Sequence, residues 1–162
     1  MKNSGFTLIE LLVVIAIIGI LTSIVGVLVS SAKNRGNDAA IKQNLIQIRN
    51  RAETLYGNYP QGNYGTISCI VQASCAIGSG GTFCGNIDLG QFATNSIFKD
   101  TIISGYINTL SAMSSSVICD ANGNTWAVAA RLRDDPTKSW CVDANSASRV
   151  VSGAPINAGL CS

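Results

Sequence analysis

The chain contains no histidine, and only 12% of its 162 residues are charged. Histidine is the most common general base and a member of the serine hydrolase triad, so its absence excludes catalysis of those kinds. The six cysteines contain no C-x-x-C pair, which together with the missing histidine argues against a zinc site. We therefore expect no enzymatic activity, no metal and no cofactor.

The chain also lacks a strong net charge. The whole sequence has a formal charge of +2, and residues 57–162 carry five cations and six anions. Strong nucleic-acid binding needs a broad basic face, so nucleic acid is not an expected partner of this part of the chain alone. Four of its cations can still cluster after folding: Arg131, Arg133, Lys138 and Arg149.

Residues 6–29 form a long apolar run whose only charged residue is Glu10. About 20 apolar residues span the hydrocarbon core of a bilayer, so the run predicts a transmembrane helix. A carboxylate inside such a span is costly and by default indicates function. Small residues recur at spacings of three and four, a pattern that promotes helix packing in membranes but also suits any membrane helix: Ala16, Gly19, Ser23, Gly26 and Ser30.

Two simpler interpretations of this segment remain open. A secretory signal peptide cut after Ala32 would have an unusually long apolar core that contains an acid. An ordinary single-span anchor would leave Glu10 without a role.

The helix is expected to continue beyond the membrane through residues 30–56, with Gly36 and Asn37 as a weak point. Apolar residues there repeat at spacings of four and three, which is typical of an amphipathic helix that packs on a sheet: Ile41, Leu45, Ile48, Ala52 and Leu55. Gly57, Asn58 and Pro60 should end it. A continuous helix from Phe6 would be roughly 75 Å long.

Residues 57–162 should form a globular head. Segment 57–113 is rich in glycine and serine and predicts a variable loop, with a short helix near 96–113. Segment 114–143 predicts a small antiparallel meander, with a hairpin turn at Asn122-Gly123. Residues 144–162 are expected to form a C-terminal loop. The fold class is α+β.

The N-terminal residues Gly5-Phe6-Thr7-Leu8-Ile9-Glu10, followed by the long apolar helix, resemble the class III leader of type IV pilins and pseudopilins. The resemblance implies that a prepilin peptidase removes residues 1–5 between Gly5 and Phe6, and that the new Phe6 amine is N-methylated. It also implies that Glu10 meets the Phe6 amine of an adjacent subunit and sets the register of assembly. Val27 replaces a proline found in many relatives, so no proline kink is expected.

The resemblance further implies a pilin-like fold, with the long helix packed on the small sheet. It implies a structural subunit that polymerises into a homo-oligomeric type IV pilus filament. The subunit would lie in the cytoplasmic membrane with its head outside, and would be extracellular after assembly. Its partners would be the prepilin peptidase, an inner-membrane assembly platform and minor pilins. The alternatives are a pseudopilin of type II secretion, a competence pilin, or a membrane-anchored extracellular binding domain.

Six cysteines in an exported chain indicate disulfides. In a meander the strands of Cys119 and Cys141 are separated by one strand, so their Cα atoms would lie about 9–10 Å apart, too far for a bond that needs about 4.4–6.8 Å. We favour Cys141 with Cys161, a loop closure that also resembles the disulfide-bounded region of type IV pilins. Cys119 would then pair with one of the remaining three: Cys69, Cys75 and Cys84.

Two further motifs have simpler explanations. Ser30-Ser31-Ala32-Lys33 matches S-x-x-K, but it lies where polar residues and a snorkelling lysine are expected at a membrane exit. Residues 120–131 resemble the start of a calcium loop but lack its glycine and glutamate. A calcium site built from Asp134, Asp135 and Asp143 stays open as an alternative to a solvated turn.

Overall fold

The computed structural model describes residues 7–56, 63–65, 82–83, 96–153, 156–157 and 159–162. Helix α1 (Leu8–Tyr56) is one α-helix of 49 residues, about 74 Å long at the standard rise. It continues through Gly36 and Asn37, so the predicted weak point does not interrupt it. The predictions for Gly5, Phe6 and three of the cysteines (Cys69, Cys75 and Cys84) lie outside the described residues.

The two halves of α1 have different surroundings. The apolar side chains described in its first half are exposed, from Leu8 at 83% to Val14 at 47%. By length and composition this half can cross a membrane. Among the helix side chains that the structure describes, the first buried one is that of Asp38. Beyond it the predicted stripe is fully buried, apart from half-buried Leu55: Ile41, Leu45, Ile48 and Ala52.

The second half of α1 packs on an antiparallel sheet with the strand order β1-β2-β3-β4-β5. The strands are β1 (Thr82–Phe83), β2 (Val117–Ala121), β3 (Trp126–Arg131), β4 (Lys138–Asp143) and β5 (Ser148–Ser152). Alternate residues of β3, namely Trp126, Val128 and Ala130, belong to the core that contacts α1. The predicted α+β arrangement of a long helix on a small antiparallel sheet is confirmed.

The turn between β2 and β3 has the hairpin chemistry that the sequence predicted. The Asn122 Oδ1 accepts the backbone N–H of Thr125 at 3.0 Å and its hydroxyl at 2.8 Å. Gly123 has a φ of 94°, a conformation that glycine adopts without the strain of a Cβ.

A second helix, α2 (Thr101–Met113), lies within the segment 96–113 where a short helix was predicted, after a 3₁₀ turn at Ile97–Lys99. It buries Ile103, Ile107 and Leu110 in the core shared with α1. Asp100 caps its first turn and pairs with Arg51 of α1, with Nη2 and Oδ2 2.7 Å apart. The cap and the ion pair together fasten α2 along α1.

The C-terminal segment differs from the expected loop. Within 144–162 the chain forms β5 and two short paired strands, β6 (Ile156–Asn157) and β7 (Leu160–Cys161). Only Val151 of β5 is buried, since β5 is an edge strand with little apolar alternation. Strands this short and exposed leave a weak pattern in the sequence, which is why a loop was predicted.

Candidate functional site

The N-terminus of α1 is closed by reciprocal hydrogen bonds between Thr7 and Glu10. The Thr7 backbone N–H and hydroxyl both donate to Glu10 Oε2, at 2.9 and 2.8 Å. The Glu10 N–H points back to the Thr7 hydroxyl oxygen at 3.4 Å. This is a capping box, which satisfies N–H groups that a helix start leaves open. Our sequence analysis missed it, although the T-x-x-E spacing is a visible signal.

The cap occupies one oxygen of the Glu10 carboxylate. The other oxygen, Oε1, accepts no hydrogen bond from the part of the chain that the structure describes, and Glu10 is exposed on the helix. A partly satisfied carboxylate in hydrocarbon is stabilised best by a cation. The arrangement can therefore receive an ammonium group without losing the helix cap.

The predicted small-residue stripe lies on the exposed half of α1, and its five positions are all exposed. A Cβ added at Gly19 or Gly26 would meet no atom within 4 Å. The hydroxyl of Ser23 donates to the Ile20 carbonyl at 2.8 Å, and that of Thr22 to the Ile18 carbonyl at 2.7 Å. These hydroxyls are satisfied within the helix, so this half of α1 can approach another helix without stranding them.

In the head, Cys141 of β4 and Cys161 of β7 form a disulfide with a Cα–Cα distance of 5.8 Å. This is the pair that the sequence analysis favoured. Cys119 is also disulfide-bonded, with a partner outside the described residues. It lies on β2 and Cys141 on β4, with β3 between them, as the argument against pairing these two assumed.

Two carboxylates hold the C-terminal segment against the sheet. Asp143 is only 3% exposed, and its Oδ1 accepts the N–H groups of Asn145 and Ala147 at 2.9 and 3.0 Å. Its Oδ2 accepts the N–H of Cys161 at 3.0 Å. Asp120 accepts the N–H of Gly159 at 2.8 Å. Sequence reasoning missed both roles because their partners lie 18 and 39 residues away.

Two of the three aspartates considered for calcium, Asp135 and Asp143, have separate partners. Asp135 bonds Thr137 and pairs with Lys138 at 2.9 Å, and the hydrogen bond from the Thr137 side chain, the largest effect, helps lower the pKa of Asp135 to about 2. Asp143 is committed to backbone donors. No group of three or more acidic or cysteine side chains among the described residues is arranged to hold a metal ion.

The four head cations that were expected to be able to cluster do not form one group. Lys138 pairs with Asp135, and Arg149 donates to the Cys161 carbonyl. Arg131 and Arg133 lie where β3 ends. Arg133 lies in the turn that Asp38 of α1 binds, whereas the alternation along β3 places Arg131 on the face of the sheet away from α1.

Residues 1–26 match the family model described as the prokaryotic N-terminal methylation motif. This motif is the class III prepilin leader of type IV pilins and pseudopilins, so the predicted resemblance is confirmed for the N-terminal segment. No curated protein and no solved structure matches the chain. The leader and the apolar helix together fit membrane anchoring.

Proposed function

We propose that this chain is a type IV pilin, a structural subunit that polymerises through its N-terminal helix into a filament on the bacterial surface. One observation carries the proposal: a prepilin leader runs directly into a helix that is apolar and exposed in its first half and packed on a disulfide-bonded head in its second. A single-span anchor needs the apolar half alone, whereas a filament subunit needs both the leader and a helix that can bundle.

The exposed half of α1 must be covered in the cell, because a contiguous apolar surface of this size is not stable in water. Lipid covers it before assembly, and the corresponding helices of other subunits cover it afterwards. Close packing of helices that leave lipid depends on small side chains. The face that contains Gly19, Ser23 and Gly26 supplies them.

The register of assembly is set by charge. Cleavage after Gly5 turns the amide of Phe6 into an ammonium group, which remains charged after N-methylation. The open Oε1 of Glu10 can then bind the Phe6 ammonium of the adjacent subunit, while Oε2 keeps the Thr7 cap. An uncleaved subunit has no such cation, so processing would precede assembly.

The capping box supplies matched variants for a test. A glutamine at the third helical position caps as glutamate does, so Glu10→Gln removes the charge and keeps the cap. Thr7→Ala keeps the charge and removes the two capping hydrogen bonds that involve the Thr7 hydroxyl. We expect Glu10→Gln and Glu10→Ala to be cleaved and inserted normally but to yield few filaments in the fraction sheared from cells. Thr7→Ala should retain more filaments than either.

Normal filament yield from Glu10→Gln would refute the register role. The mature N-terminus supplies a separate check by mass analysis, which should find an N-methylated Phe6. A mature chain that begins at Lys33 would establish the signal-peptide alternative. Cleaved protein that never enters the sheared fraction, combined with a secretion defect in its absence, would favour the pseudopilin alternative.

A further inference from the structure

Exposed cations without a carboxylate partner among the described residues lie where the apolar half of α1 meets the head. We call Lys33, Arg35 and Arg133 the basal cations. All three are exposed. The two salt bridges found among the described residues, Arg51–Asp100 and Lys138–Asp135, include none of them.

Lys33 and Arg35 lie on the stretch of α1 between the apolar run and the head. At 1.5 Å per residue they are about 6 and 9 Å beyond Val29 along the helix axis. The headgroup layer on each side of a bilayer is about 5–8 Å thick. The long side chains of both residues can therefore place their charges in that layer.

Arg133 is fixed at the same end by the turn between β3 and β4. Asp38 of α1 accepts the backbone N–H of Arg133 at 2.6 Å and that of Asp134 at 3.1 Å. The Arg133 Nε donates to the carbonyl of Met113 at 2.5 Å, at the end of α2. These contacts hold Arg133 at the level of Asp38, about 14 Å along the axis from Val29. Its two terminal nitrogens have no partner among the described residues.

The surrounding charges leave this end positive. The Asp38 carboxylate is 7% exposed and already accepts two N–H groups, and Asp135 is paired with Lys138. Asp134 is the remaining exposed carboxylate of the turn. Beyond the headgroup layer, Arg133 is about 6–9 Å from the membrane surface, which is close to the Debye length of about 8 Å at physiological salt.

We propose that the basal cations bind anionic lipid headgroups of the membrane that α1 spans, so that the head rests on an anionic bilayer before assembly. The inference rests on the membrane-anchored state in the proposed function. A lysine or arginine near an anionic surface changes partitioning by about fivefold. Three such residues, on two separate parts of the chain, give the surface its selectivity for anionic lipid.

The test uses the full chain in nanodiscs that contain equal amounts of phosphatidylglycerol and phosphatidylcholine. Native mass spectrometry of the released protein gives the ratio of the two lipids that remain bound. Lys33→Gln/Arg35→Gln alters only exposed helix positions, and Arg133→Gln alters the turn. Lys99→Gln is the matched control, since Lys99 is an exposed cation next to Asp100, at the opposite end of α2.

We expect the wild type to retain phosphatidylglycerol preferentially. Enrichment should fall several-fold in Lys33→Gln/Arg35→Gln, fall by up to about fivefold in Arg133→Gln, and stay unchanged in Lys99→Gln. Salt at 0.5 M should abolish it, because the Debye length is then only about 4 Å.

Equal enrichment in all variants would overturn the inference, as would an equal loss in Lys99→Gln. Unchanged enrichment with lost filaments in Lys33→Gln/Arg35→Gln would also overturn it, by assigning these cations to contacts between subunits. Flotation of the chain with the bilayer is scored separately. A chain that does not float contradicts the membrane-anchored state itself, whereas a chain that floats without lipid preference contradicts only this inference.

Discussion

Replacing Asp143 by asparagine should release the C-terminal segment while the disulfide stays intact. The carboxylate is buried and accepts three backbone N–H groups, two on Oδ1 and one on Oδ2. An asparagine has one acceptor oxygen and one NH₂ group. If the asparagine oxygen accepts the N–H groups of Asn145 and Ala147, its NH₂ group faces the N–H of Cys161. Both of these groups are donors, so no hydrogen bond forms between them.

The loss can be estimated from these contacts. One buried hydrogen bond to a charged group disappears, at about 1.5–3 kcal/mol, and the other two become bonds to a neutral oxygen. We expect Asp143→Asn to lower the free energy of unfolding by about 2–3 kcal/mol. For a head of this size that corresponds to a fall in Tm of about 10–20 °C. Asp143→Ala strands all three donors and should cost more.

The measurement is thermal unfolding of the full chain in detergent under non-reducing conditions, followed by near-ultraviolet circular dichroism. Hydrogen exchange at the Cys161 amide reports the lost bond directly and should accelerate strongly. Asp134→Asn is the control, since Asp134 is exposed and its side chain has no hydrogen-bond or ion-pair partner among the described residues. It should change the unfolding free energy by less than about 0.5 kcal/mol.

A Tm for Asp143→Asn within a few degrees of the wild type would refute this account. Protected exchange at Cys161 in the variant would show that the disulfide alone holds the segment. A gain in stability on adding Ca²⁺ to the wild type, lost in Asp143→Asn, would instead restore the calcium alternative.

Three further predictions test the head and the helix. The hydrogen bond from Arg51 lowers the pKa of Asp100 in the folded protein. The pair therefore stabilises the head at pH values above the pKa of an unfolded aspartate, about 3.9, and this stabilisation is lost as the pH falls through the lower pKa of the folded state. At pH 7, Asp100→Asn keeps the cap and should lower the free energy of unfolding by about 1 kcal/mol, a small value because the Arg51 side chain is one-third exposed. Asp100→Ala also removes the cap and should lower it by about 2 kcal/mol. Equal midpoints of acid unfolding for the wild type and Asp100→Asn would contradict this. Cys141→Ser/Cys161→Ser removes a disulfide between residues 20 positions apart and should lower the free energy of unfolding by about 3 kcal/mol, measured by chemical denaturation. An unchanged denaturation midpoint would show that strand pairing alone holds the C-terminal segment. Gly19→Leu should be processed normally, as checked by immunoblot, but should reduce the filaments sheared from cells, because its bulky side chain lies on the open helix face and would keep neighbouring helices apart. A normal filament yield would show that the small-residue face is not part of the contact between subunits.

The parts of the fold that could be predicted are those with short-range periodicity. The stripe from Ile41 to Ala52 repeats at helical spacing over three turns, and the structure buries every member of it. The turn at Asn122 and Gly123 has local chemistry that few other structures use. In both cases the residues that form the pattern are near each other in the sequence, so the local pattern alone is enough to predict the structure.

The parts that could not be predicted depend on distant partners. Asp38 lies in a polar stretch that resembles a solvated linker, but its carboxylate binds the backbone of residues 95 and 96 positions away. Arg51 and Asp100 are 49 residues apart. A single sequence shows which side chains can form such contacts, but not which pairs the folded sheet brings together.

Two features of the sequence around Glu10 indicate a partner for its carboxylate. An acid inside an apolar span indicates a partner in another molecule, while the T-x-x-E spacing indicates a partner in the same helix. The structure makes the two compatible, because the cap takes Oε2 and leaves Oε1 open. Under the proposed function, a subunit in the membrane has its Glu10 carboxylate partly satisfied by Thr7, and Oε1 is left to bind the ammonium of the next subunit. This division of the carboxylate is why Glu10→Gln, which removes the charge, and Thr7→Ala, which only weakens the cap, should differ in filament yield.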